Sequence, residues 1–390
     1  MKIWKLSKSI SLFPPLLILM IIMANLTFAE KQKSPTVEVI SSEPASELTQ
    51  LFKPQKRGWL GADGAASVEI TKGKILWLFG DTILGNCSKD GKRTGTIVRN
   101  TLGLQDLSKG FPGEVEFFWD IPGNFPTSFF LAEGYDQDYW YWPTAGVMLD
   151  EELIVFVYKI LPGPDPFTLG FEVGEMTLMR INNPLDPPNK WNKTIIPFGT
   201  GGNHQGFCSA IYVEKPYLYF LGFDDGPADK DLGRQAVLTR AKIEDIKNNK
   251  GKDALEFWTK ADDGGKWDNK PENLLPLFKP GETETSLQYN EYSKQYISVI
   301  MHFGEPDIYI VTAPQITGPW SEPIKVYTTP EPVKDKNYSA YAAKAHPELA
   351  KEPDEIIITY IVSTMDFWTI FKDPNVYFPQ FVRVKLKWNL

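Results

Sequence analysis

The chain has few of the residues that cross-link small folds or bind metal ions. Its 390 residues include two cysteines and three histidines. Cys87 and Cys208 allow one disulfide bridge at most, and the sequence does not show whether their Cα atoms approach each other. The histidines are too scattered for a zinc site, and we expect no cofactor. The sequence leaves open a metal ion in the centre of the fold and assigns no residue to it. A phosphate-binding loop, a dinucleotide fingerprint and a G-x-S-x-G elbow are also absent, which argues against the enzyme classes built on these motifs.

Residues 1–29 have the layout of a secretory signal peptide, with a basic start, an apolar run and small residues before a charge. A membrane anchor is the alternative, but Pro14 and Pro15 interrupt the run and a span takes about 20 apolar residues. We therefore predict cleavage near Ala29, export to the periplasm or the exterior, and no membrane insertion of the mature chain. Cleavage removes three lysines and no acid, which changes the formal net charge from −8 to −11. Such an acidic protein is not expected to bind nucleic acid.

Helical periodicity is confined to one short segment, residues 240–248. Elsewhere the apolar runs have the length of strands and are bounded by Gly, Pro, Asn and Asp. Examples are "KILWLFGD", "ELIVFVYKI", "QYISVIMHF" and "EIIITYIVS". This pattern predicts an all-β chain.

A coarse repeat underlies these strands. Five times, a small or polar start leads into a strand, a turn and a strongly apolar strand. The five units are "GADGAASVEITKGKILWLFGD", "YWPTAGVMLDEELIVFVYKI", "HQGFCSAIYVEKPYLYFLGF", "ETSLQYNEYSKQYISVIMHF" and "AHPELAKEPDEIIITYIVS". Five four-stranded units predict a five-bladed β-propeller. We expect a linker at residues 30–57, in which the strand 36–40 is a candidate to close the ring, and one monomeric propeller domain at residues 58–390.

The first strand of each propeller blade lines the central channel. The residues that begin these strands are therefore predicted to surround one opening, and they are Asp63, Trp142, Gln205, Glu284 and His346. A pocket with a few converging polar groups and aromatic walls is the default binding site of such a fold.

Asp63 and Asp81 flank the hairpin of the first unit. A three-residue turn at residues 71–73 gives a register in which paired residue numbers sum to 144, so that Asp63 lies opposite Asp81. Cross-strand neighbours have Cβ atoms about 4.5–5.5 Å apart. Two carboxyl groups at that distance raise the pKa of one of them. The alternative is that both aspartates only form turns, as Asp-Gly and Gly-Asp dipeptides do.

Several segments together resemble the domain of unknown function 4185. They are "GADGAAS", "GKILWLFGDT", "YWPTAG", "GETETSLQYNEYSKQY", "TAPQITGPWSEPIKVY" and "AYAAKAHPEL". Part of that group is classed as glycoside hydrolase family 183, endo-acting D-arabinanases on a five-bladed propeller. The resemblance spans Gly58 to the C terminus and implies a secreted hydrolase of arabinofuranose-containing polysaccharide. It places Asp63 and Asp81 at catalytic carboxylates of the first blade and Glu284 at an acidic position of the fourth.

Glycoside hydrolysis needs one carboxyl group that protonates the leaving oxygen and a second that acts as nucleophile or base. Asp63 and Asp81 fit a retaining or an inverting reaction, and Glu284 is a third catalytic candidate, with Glu282 beside it as an alternative. The predicted substrate-binding residues are Trp142, His204, Gln205, Asp224 and His346. All of these except Gln205 have a structural alternative, which is a turn for Asp224, a hydrogen bond to the loop for the histidines and packing between blades for Trp142.

Two non-catalytic functions compete with hydrolysis. In a carbohydrate-binding propeller the same carboxylates only accept hydrogen bonds from sugar hydroxyls. In a cell-surface scaffold for a protein partner, we expect a broad exposed apolar patch instead. Aromatic residues make up 13% of the chain, including 12 Trp, and such residues suit stacking on sugar rings. We therefore expect a glycan as the partner.

Overall fold

A computed structural model of the chain describes residues 36–163, 170–226, 233–262 and 264–389. The predicted signal peptide and the start of the predicted linker lie outside these ranges. Within the described ranges, no helix is both long enough and apolar enough to cross a membrane.

The described strands form five antiparallel sheets, which are blades 1 to 5 in chain order. The first strand of the chain is β1 (Thr36–Pro44). Blade 1 contains β2 (Arg57–Thr71), β3 (Lys74–Cys87), β4 (Arg93–Val98), β5 (Thr101–Asp106) and β6 (Glu114–Phe118). Blade 2 contains β7 (Trp140–Leu149), β8 (Glu152–Pro162), β9 (Phe171–Ile181) and β10 (Lys193–Pro197). Blade 3 contains β11 (Gln205–Glu214), β12 (Tyr217–Asp224), β13 (Gln235–Lys242), β14 (Glu256–Ala261) and β15 (Gly264–Asp268).

Blade 4 contains β16 (Ser286–Asn290), β17 (Gln295–Ile300), β18 (Asp307–Ala313) and β19 (Ile324–Thr328). Blade 5 contains β20 (Tyr338–Ala345), β21 (Glu355–Thr364) and β22 (Pro379–Asn389), together with β1. The described α-helices are single turns in the connections, namely α1 (Ser46–Thr49), α2 (Ile243–Lys247) and α3 (Pro330–Lys334). The 3-10 turns are Gln50–Phe52, Pro122–Asn124, Pro188–Lys190, Gly251–Ala254, Pro347–Leu349 and Phe367–Phe371.

The innermost strands form a closed ring. Each of β2, β7, β11, β16 and β20 contacts the next of them, and β20 contacts β2. Five buried apolar clusters lie between neighbouring blades, one for each interface. Their representative pairs are Leu78 with Val157, Phe156 with Phe220, Leu238 with Val311, Ile310 with Ile358, and Trp77 with Phe381. The predicted all-β, five-bladed β-propeller is confirmed.

The packing between blades explains the character of the central strands. All ten residues of β21 are buried, and the segment reads "EIIITYIVST". A strand covered by a neighbouring blade on each face is mostly apolar, and β-branched residues such as Ile, Val and Thr pack well on a pleated surface. At the interface of blades 2 and 3, the rings of Phe156 and Phe220 meet edge to face with their centroids 5.2 Å apart, a favourable aromatic geometry.

Blade 5 differs from the prediction in its innermost strand. We expected that strand to begin near His346, but β20 ends at Ala345 and a 3-10 turn follows at Pro347–Leu349. Pro347 has a fixed φ and no N–H to donate to a ladder, which favours the first turn of a helix over a strand. His346 therefore lies at the end of β20 that is remote from the predicted opening.

β1 completes blade 5 from the other end of the chain. It pairs in antiparallel fashion with β22, from Thr36 opposite Asn389 to Pro44 opposite Val382. Val37 and Val39 pack against the apolar cluster between blades 4 and 5. The N-terminal and C-terminal strands of the described chain thus share one blade, which closes the ring.

The two cysteines are free. Cys208 is buried in the cluster between blades 2 and 3, where burial raises the pKa of its thiol to about 12. Cys87 ends β3 and packs against the cluster between blades 4 and 5. The disulfide that the sequence left open is not formed, so packing between the blades holds the ring.

The ring closure by β1 predicts a stability difference between two truncations. A chain that starts at residue 45 lacks β1, leaves the backbone groups of β22 unpaired and exposes the cluster beneath Val37 and Val39. We expect its free energy of unfolding to fall by roughly 2–4 kcal/mol relative to a chain that starts at residue 36. Urea denaturation of both purified proteins measures this difference, and equal midpoints and slopes would contradict the closure.

Candidate active site

Asp63 and Asp81 lie at a β-bulge between β2 and β3. The predicted register holds on both sides of it, since Ser67 pairs with Trp77 and Ala62 pairs with Thr82. Between the pairs Ala62–Thr82 and Gly64–Phe79, Asp63 alone faces Gly80 and Asp81. A bulge of this kind bends the strand and re-aims side chains. The two aspartates are therefore neighbours, although they are not the simple cross-strand pair that the sequence predicts.

Gly80 has no side chain, and the Asp63 carboxyl group occupies the space where a Cβ atom would lie. A Cβ atom at residue 80 would lie 2.5 Å from Asp63 Oδ1, which is shorter than any normal contact. Glycine at this position thus lets the backbone of β3 approach the carboxyl group closely.

Two tyrosines from blade 5 hold Asp63. The hydroxyl groups of Tyr341 and Tyr377 donate hydrogen bonds to Asp63 Oδ2 over 3.1 Å and 3.2 Å. Tyr377 has φ of +62° and Ala342, next to Tyr341, has φ of +60°. Such left-handed backbone is uncommon for residues other than glycine and concentrates at functional sites. Burial and the charge of Asp63 raise the pKa of both tyrosines, so they remain hydrogen-bond donors.

The segment that carries Tyr377 is tied to blade 1. The buried guanidinium of Arg93 donates to the carbonyl oxygens of Ile370 and Val376 over 3.1 Å and 2.7 Å. Gly61 lies so close that a Cβ atom there would meet the Tyr377 carbonyl oxygen at 2.1 Å. The position of Tyr377 is therefore fixed by contacts with blade 1 as well as by its own blade.

Asp81 has its own set of donors. Trp142 Nε1 donates to Asp81 Oδ1 over 2.9 Å, and Arg99 Nη1 donates to Asp81 Oδ2 over 3.3 Å. Trp142, which we expected to stack on a sugar, is half-buried, with Phe171 packed edge to face at 4.7 Å. Its indole N–H thus orients a carboxylate, a role that the sequence did not indicate.

Glu284 joins the same site from blade 4. The buried ammonium of Lys344 donates to Glu284 Oε1 over 2.8 Å and to the Gly64 carbonyl oxygen over 3.1 Å. Lys344 therefore connects blades 1, 4 and 5 beside the two aspartates. The nearby Glu282 pairs with His302 at 3.3 Å. Burial raises the pKa of Glu282 to about 7 against the opposing charge of His302.

The electrostatic setting keeps a proton near Asp63. Burial, followed by the negative charges of Asp81 and Glu284, raises the pKa of Asp63 well above its ordinary value, although the two tyrosines oppose the shift. Burial also raises the pKa of Asp81, while Arg99 and Trp142 lower it. A shifted pKa that arises from burial together with a specific charged partner is characteristic of active sites.

The predicted residues of blade 3 bond to one another. Gln205 begins β11 and donates to Asp224 Oδ1 over 2.9 Å. His204 is exposed and lies 3.2 Å from Asp225, which also accepts a 2.6 Å hydrogen bond from Arg234. These side chains line the blade 3 side of the ring, and their described contacts do not reach the three carboxylates.

His346 is fully buried, which contradicts its predicted role in substrate binding. Its Nδ1 lies 2.6 Å from Ser67 Oγ and its Nε2 lies 2.7 Å from Thr359 Oγ1, and its ring packs against Trp77 at 4.8 Å. Burial lowers the pKa of His346 to about 3. It is a neutral side chain of the interface between blades 1 and 5.

Within the described residues, no three His, Cys, Asp or Glu side chains are arranged to hold a metal ion. The groups that surround the carboxylates are instead hydrogen-bond donors and cations. They are Tyr341, Tyr377, Trp142, Arg99 and Lys344. Apart from Trp142, these residues were not predicted from the sequence. They lie on other blades or in connections, so no sequence pattern near Asp63 or Asp81 indicates that they contact these carboxylates.

The chain belongs to the family Domain of unknown function (DUF5005), whose sequence model matches residues 46–388. This is not the domain of unknown function 4185 that the sequence motifs resemble. A search of curated proteins finds no match.

Several solved structures align with the chain. A candidate hydrolase from Bacteroides ovatus ATCC 8483 aligns with a TM-score of 0.68 at 16% identity, over 91% of this chain and 95% of that chain. The GH43_1 enzyme from Xanthomonas citri, complexed with xylotriose, aligns with a TM-score of 0.44 at 10% identity, over 88% and 92%. Zg3597, a family 117 glycoside hydrolase of the marine bacterium Zobellia galactanivorans, aligns with a TM-score of 0.43 at 9% identity, over 90% and 90%. The similarity to the first of these supports the propeller fold.

The raised pKa of Asp63 predicts the effect of removing its charge on stability. Between the ordinary pKa of an aspartate and the raised one, the folded protein binds more protons than the unfolded chain, so this group lowers stability as pH rises. Asp63→Asn removes that effect. We expect it to raise the Tm at pH 8 by about 1–4 °C and to change the Tm less at pH 4, as measured by calorimetry.

Asp225→Asn is the matched control. Burial alone raises the pKa of Asp225, but the hydrogen bonds and charge of Arg234 lower it overall. Losing this carboxylate should leave the Tm at pH 8 unchanged or reduce it. A lower Tm for Asp63→Asn at pH 8 would show that the carboxylate cluster stabilises the fold and would contradict the electrostatic description.

Proposed function

We propose that this member of the DUF5005 family is a glycoside hydrolase. The observation that carries the proposal is the group of three carboxylates, Asp63, Asp81 and Glu284, in one half-buried site where burial and the two neighbouring charges raise the pKa of Asp63. Cleavage of a glycosidic bond needs a proton donor and an anionic carboxylate together. The solved propellers with which the chain aligns include glycoside hydrolases, which agrees with the proposal but does not carry it.

Asp63 is the proposed general acid. A general acid must hold its proton near the working pH, and burial together with two neighbouring carboxylates raises the pKa of Asp63. The tyrosines both bond to Oδ2. They fix the orientation of the carboxyl group, so Oδ1 is the oxygen that carries the proton to the leaving group.

Glu284 is the proposed nucleophile or base. Asp81 and Glu284 each lie beside a cation, but the Glu284 side chain is 34% exposed and the Asp81 side chain is 15% exposed. Asp81 also has a donor on each of its oxygens. Glu284 is therefore the carboxylate with better access to a water molecule or a sugar carbon. Whether it acts as nucleophile or base decides between retention and inversion.

The proposed role of Asp81 is to raise the pKa of Asp63. Its negative charge, after burial, is the next cause of the raised pKa of Asp63. Trp142 and Arg99 hold it in place. In this arrangement Asp81 is a positioning residue that keeps the acid protonated.

The loss of folding stability caused by the three neighbouring carboxylates favours catalysis over simple sugar binding. Hydroxyl groups of a bound sugar need acceptors, and single carboxylates or carbonyls supply them. Three neighbouring carboxylates in a half-buried site destabilise the fold at neutral pH, and strained tyrosine segments add to the cost. An arrangement that costs stability and shifts a carboxyl pKa is expected where chemistry uses the proton.

The proposed substrate is an arabinofuranose-containing polysaccharide outside the cytoplasm. The substrate is the one implied by the resemblance of the first-blade and fourth-blade motifs to the domain of unknown function 4185, and the location is the one expected from the basic and apolar start of the chain. The first experiment is a product screen with the purified chain from residue 30 onward. Linear D-arabinan, debranched L-arabinan, arabinogalactan, xylan and galactan are the polymers, and released sugars are detected by mass spectrometry. Saturable binding without product from any polymer would contradict hydrolysis and favour a carbohydrate-binding propeller.

The roles of the carboxylates predict distinct kinetic defects. Asp63→Asn should lower kcat/KM on the polymer by about 10²–10⁴-fold. It should retain more activity on an aryl glycoside whose leaving group needs no proton. Glu284→Gln should lose activity on both substrates and recover part of it with azide, which replaces the missing anion. Equal loss for the polymer and the aryl glycoside in Asp63→Asn would contradict its role as the acid.

Asp81→Asn should move the pH profile. The acid must be protonated, so kcat/KM falls as pH rises through its pKa. Removing the negative charge of Asp81 lowers that pKa, and we expect the alkaline limb to move to lower pH by roughly one unit. Initial rates between pH 4 and pH 9 measure the shift. Asp225→Asn is the control for a general loss of negative charge, because the pKa of Asp225 is lowered and its described contacts do not reach the three carboxylates. An unchanged limb in Asp81→Asn would exclude the positioning role.

A further inference from the structure

Three large apolar side chains are exposed on the connections at one end of blades 4 and 5. Phe303, which follows β17, is 61% exposed, and Met365 and Trp368, which follow β21, are 70% and 66% exposed. Single exposed apolar residues are ordinary, but a group of them marks a contact surface. The group lies at the end of the propeller where the second strand of each blade finishes.

An unbroken series of aromatic contacts connects this group with the carboxylates. The ring of Phe303 lies 5.6 Å from the ring of Tyr341. The ring of Phe367 lies 5.6 Å from Tyr377 and 5.7 Å from Trp368. Tyr341 and Tyr377 are the two residues that donate hydrogen bonds to Asp63. The exposed rings of Phe303 and Trp368 are thus one and two ring contacts away from the tyrosines that hold Asp63.

The 3-10 turn Phe367–Phe371 that carries Trp368 is held in place. Arg93 of blade 1 bonds to the carbonyl oxygen of Ile370 at the end of that turn. Trp368 also stacks on Phe371, with ring centroids 6.1 Å apart and planes inclined by 26°. A ring presented to solvent by an anchored segment loses little conformational entropy when a ligand covers it.

We infer that Phe303 and Trp368 form a binding subsite for sugar rings of the same glycan chain that reaches Asp63. One face of a sugar ring carries C–H bonds, whose weakly positive hydrogens suit the negative face of an aromatic ring. Ring contacts to Tyr341 and, through Phe367, to Tyr377 place these side chains next to the candidate active site, which favours this occupant over a separate protein partner. The inference rests on the proposed function, since it assigns an additional contact to the same substrate.

Binding and kinetics of single variants test the subsite. The probes are linear arabino-oligosaccharides of two to eight units and 4-nitrophenyl arabinofuranoside. In the Glu284→Gln background, Trp368→Ala and Phe303→Ala should each weaken binding of the longest oligosaccharide by roughly three- to ten-fold, measured by calorimetry. In the active enzyme they should raise KM for the oligosaccharide and leave KM for the aryl glycoside unchanged. Trp368→Phe should retain most of the binding, which separates stacking from folding.

Tyr292→Ala is the matched control. Tyr292 is also an exposed aromatic, at 50%, but it lies in the turn between β16 and β17, at the opposite end of blade 4 from Glu284. If Trp368→Ala and Phe303→Ala bind the oligosaccharide as tightly as Tyr292→Ala does, the subsite is wrong and the hydrolase proposal stands. A wild type that binds through Trp368 but releases no product would overturn the hydrolase proposal alone. A wild type that neither binds nor cleaves would overturn both.

Discussion

Like charges that share a half-buried space repel each other strongly, and the carboxyl groups of Asp63, Asp81 and Glu284 are held in such a space. The surrounding side chains compensate each of them differently. Asp63 receives two tyrosine hydroxyl groups, Asp81 receives Arg99 and Trp142, and Glu284 receives Lys344. The cations lie beside Asp81 and Glu284, which leaves Asp63 as the group with a strongly raised pKa. The chemistry that we propose follows from this unequal compensation.

The propeller supplies the rigidity that such a cluster needs. The carboxylates and their partners come from blades 1, 2, 4 and 5, so small movements between blades would separate them. Five apolar interfaces, with large buried side chains such as Trp77 and Phe381, fix the blades against one another. β1 and β22 close the ring without a disulfide. Close packing transmits strain, which explains how the left-handed backbone at Tyr377 persists.

Much of the fold, but less of the site, follows from the sequence. Five apolar strand pairs with a turn between them predict five blades, and the register of the first hairpin is correct on both sides of Asp63. The bulge at Asp63 and Gly80 cannot be read from the alternation of side chains, because the extra residue on β3 is compensated by an extra residue on β2 between Gly64 and Ala66. His346 was misplaced because its strand was assigned to the segment after Ala345, although Pro347 starts a turn there. Tyr341 and Tyr377 contact Asp63 from 278 and 314 residues away, a distance at which sequence spacing carries no information.

The protonation state of Asp63 is the point on which the account depends most directly. Infrared difference spectra of the wild type against Asp63→Asn, recorded between pH 3 and pH 9, isolate the carboxyl stretch of this one residue. We predict that Asp63 titrates well above the ordinary aspartate pKa of about 4 and that its pKa falls in Asp81→Asn. A titration at or below the ordinary value, unchanged in Asp81→Asn, would show that the tyrosines outweigh burial and the neighbouring charges. Asp63 would then be an anion at neutral pH, and the proposed acid would be wrong.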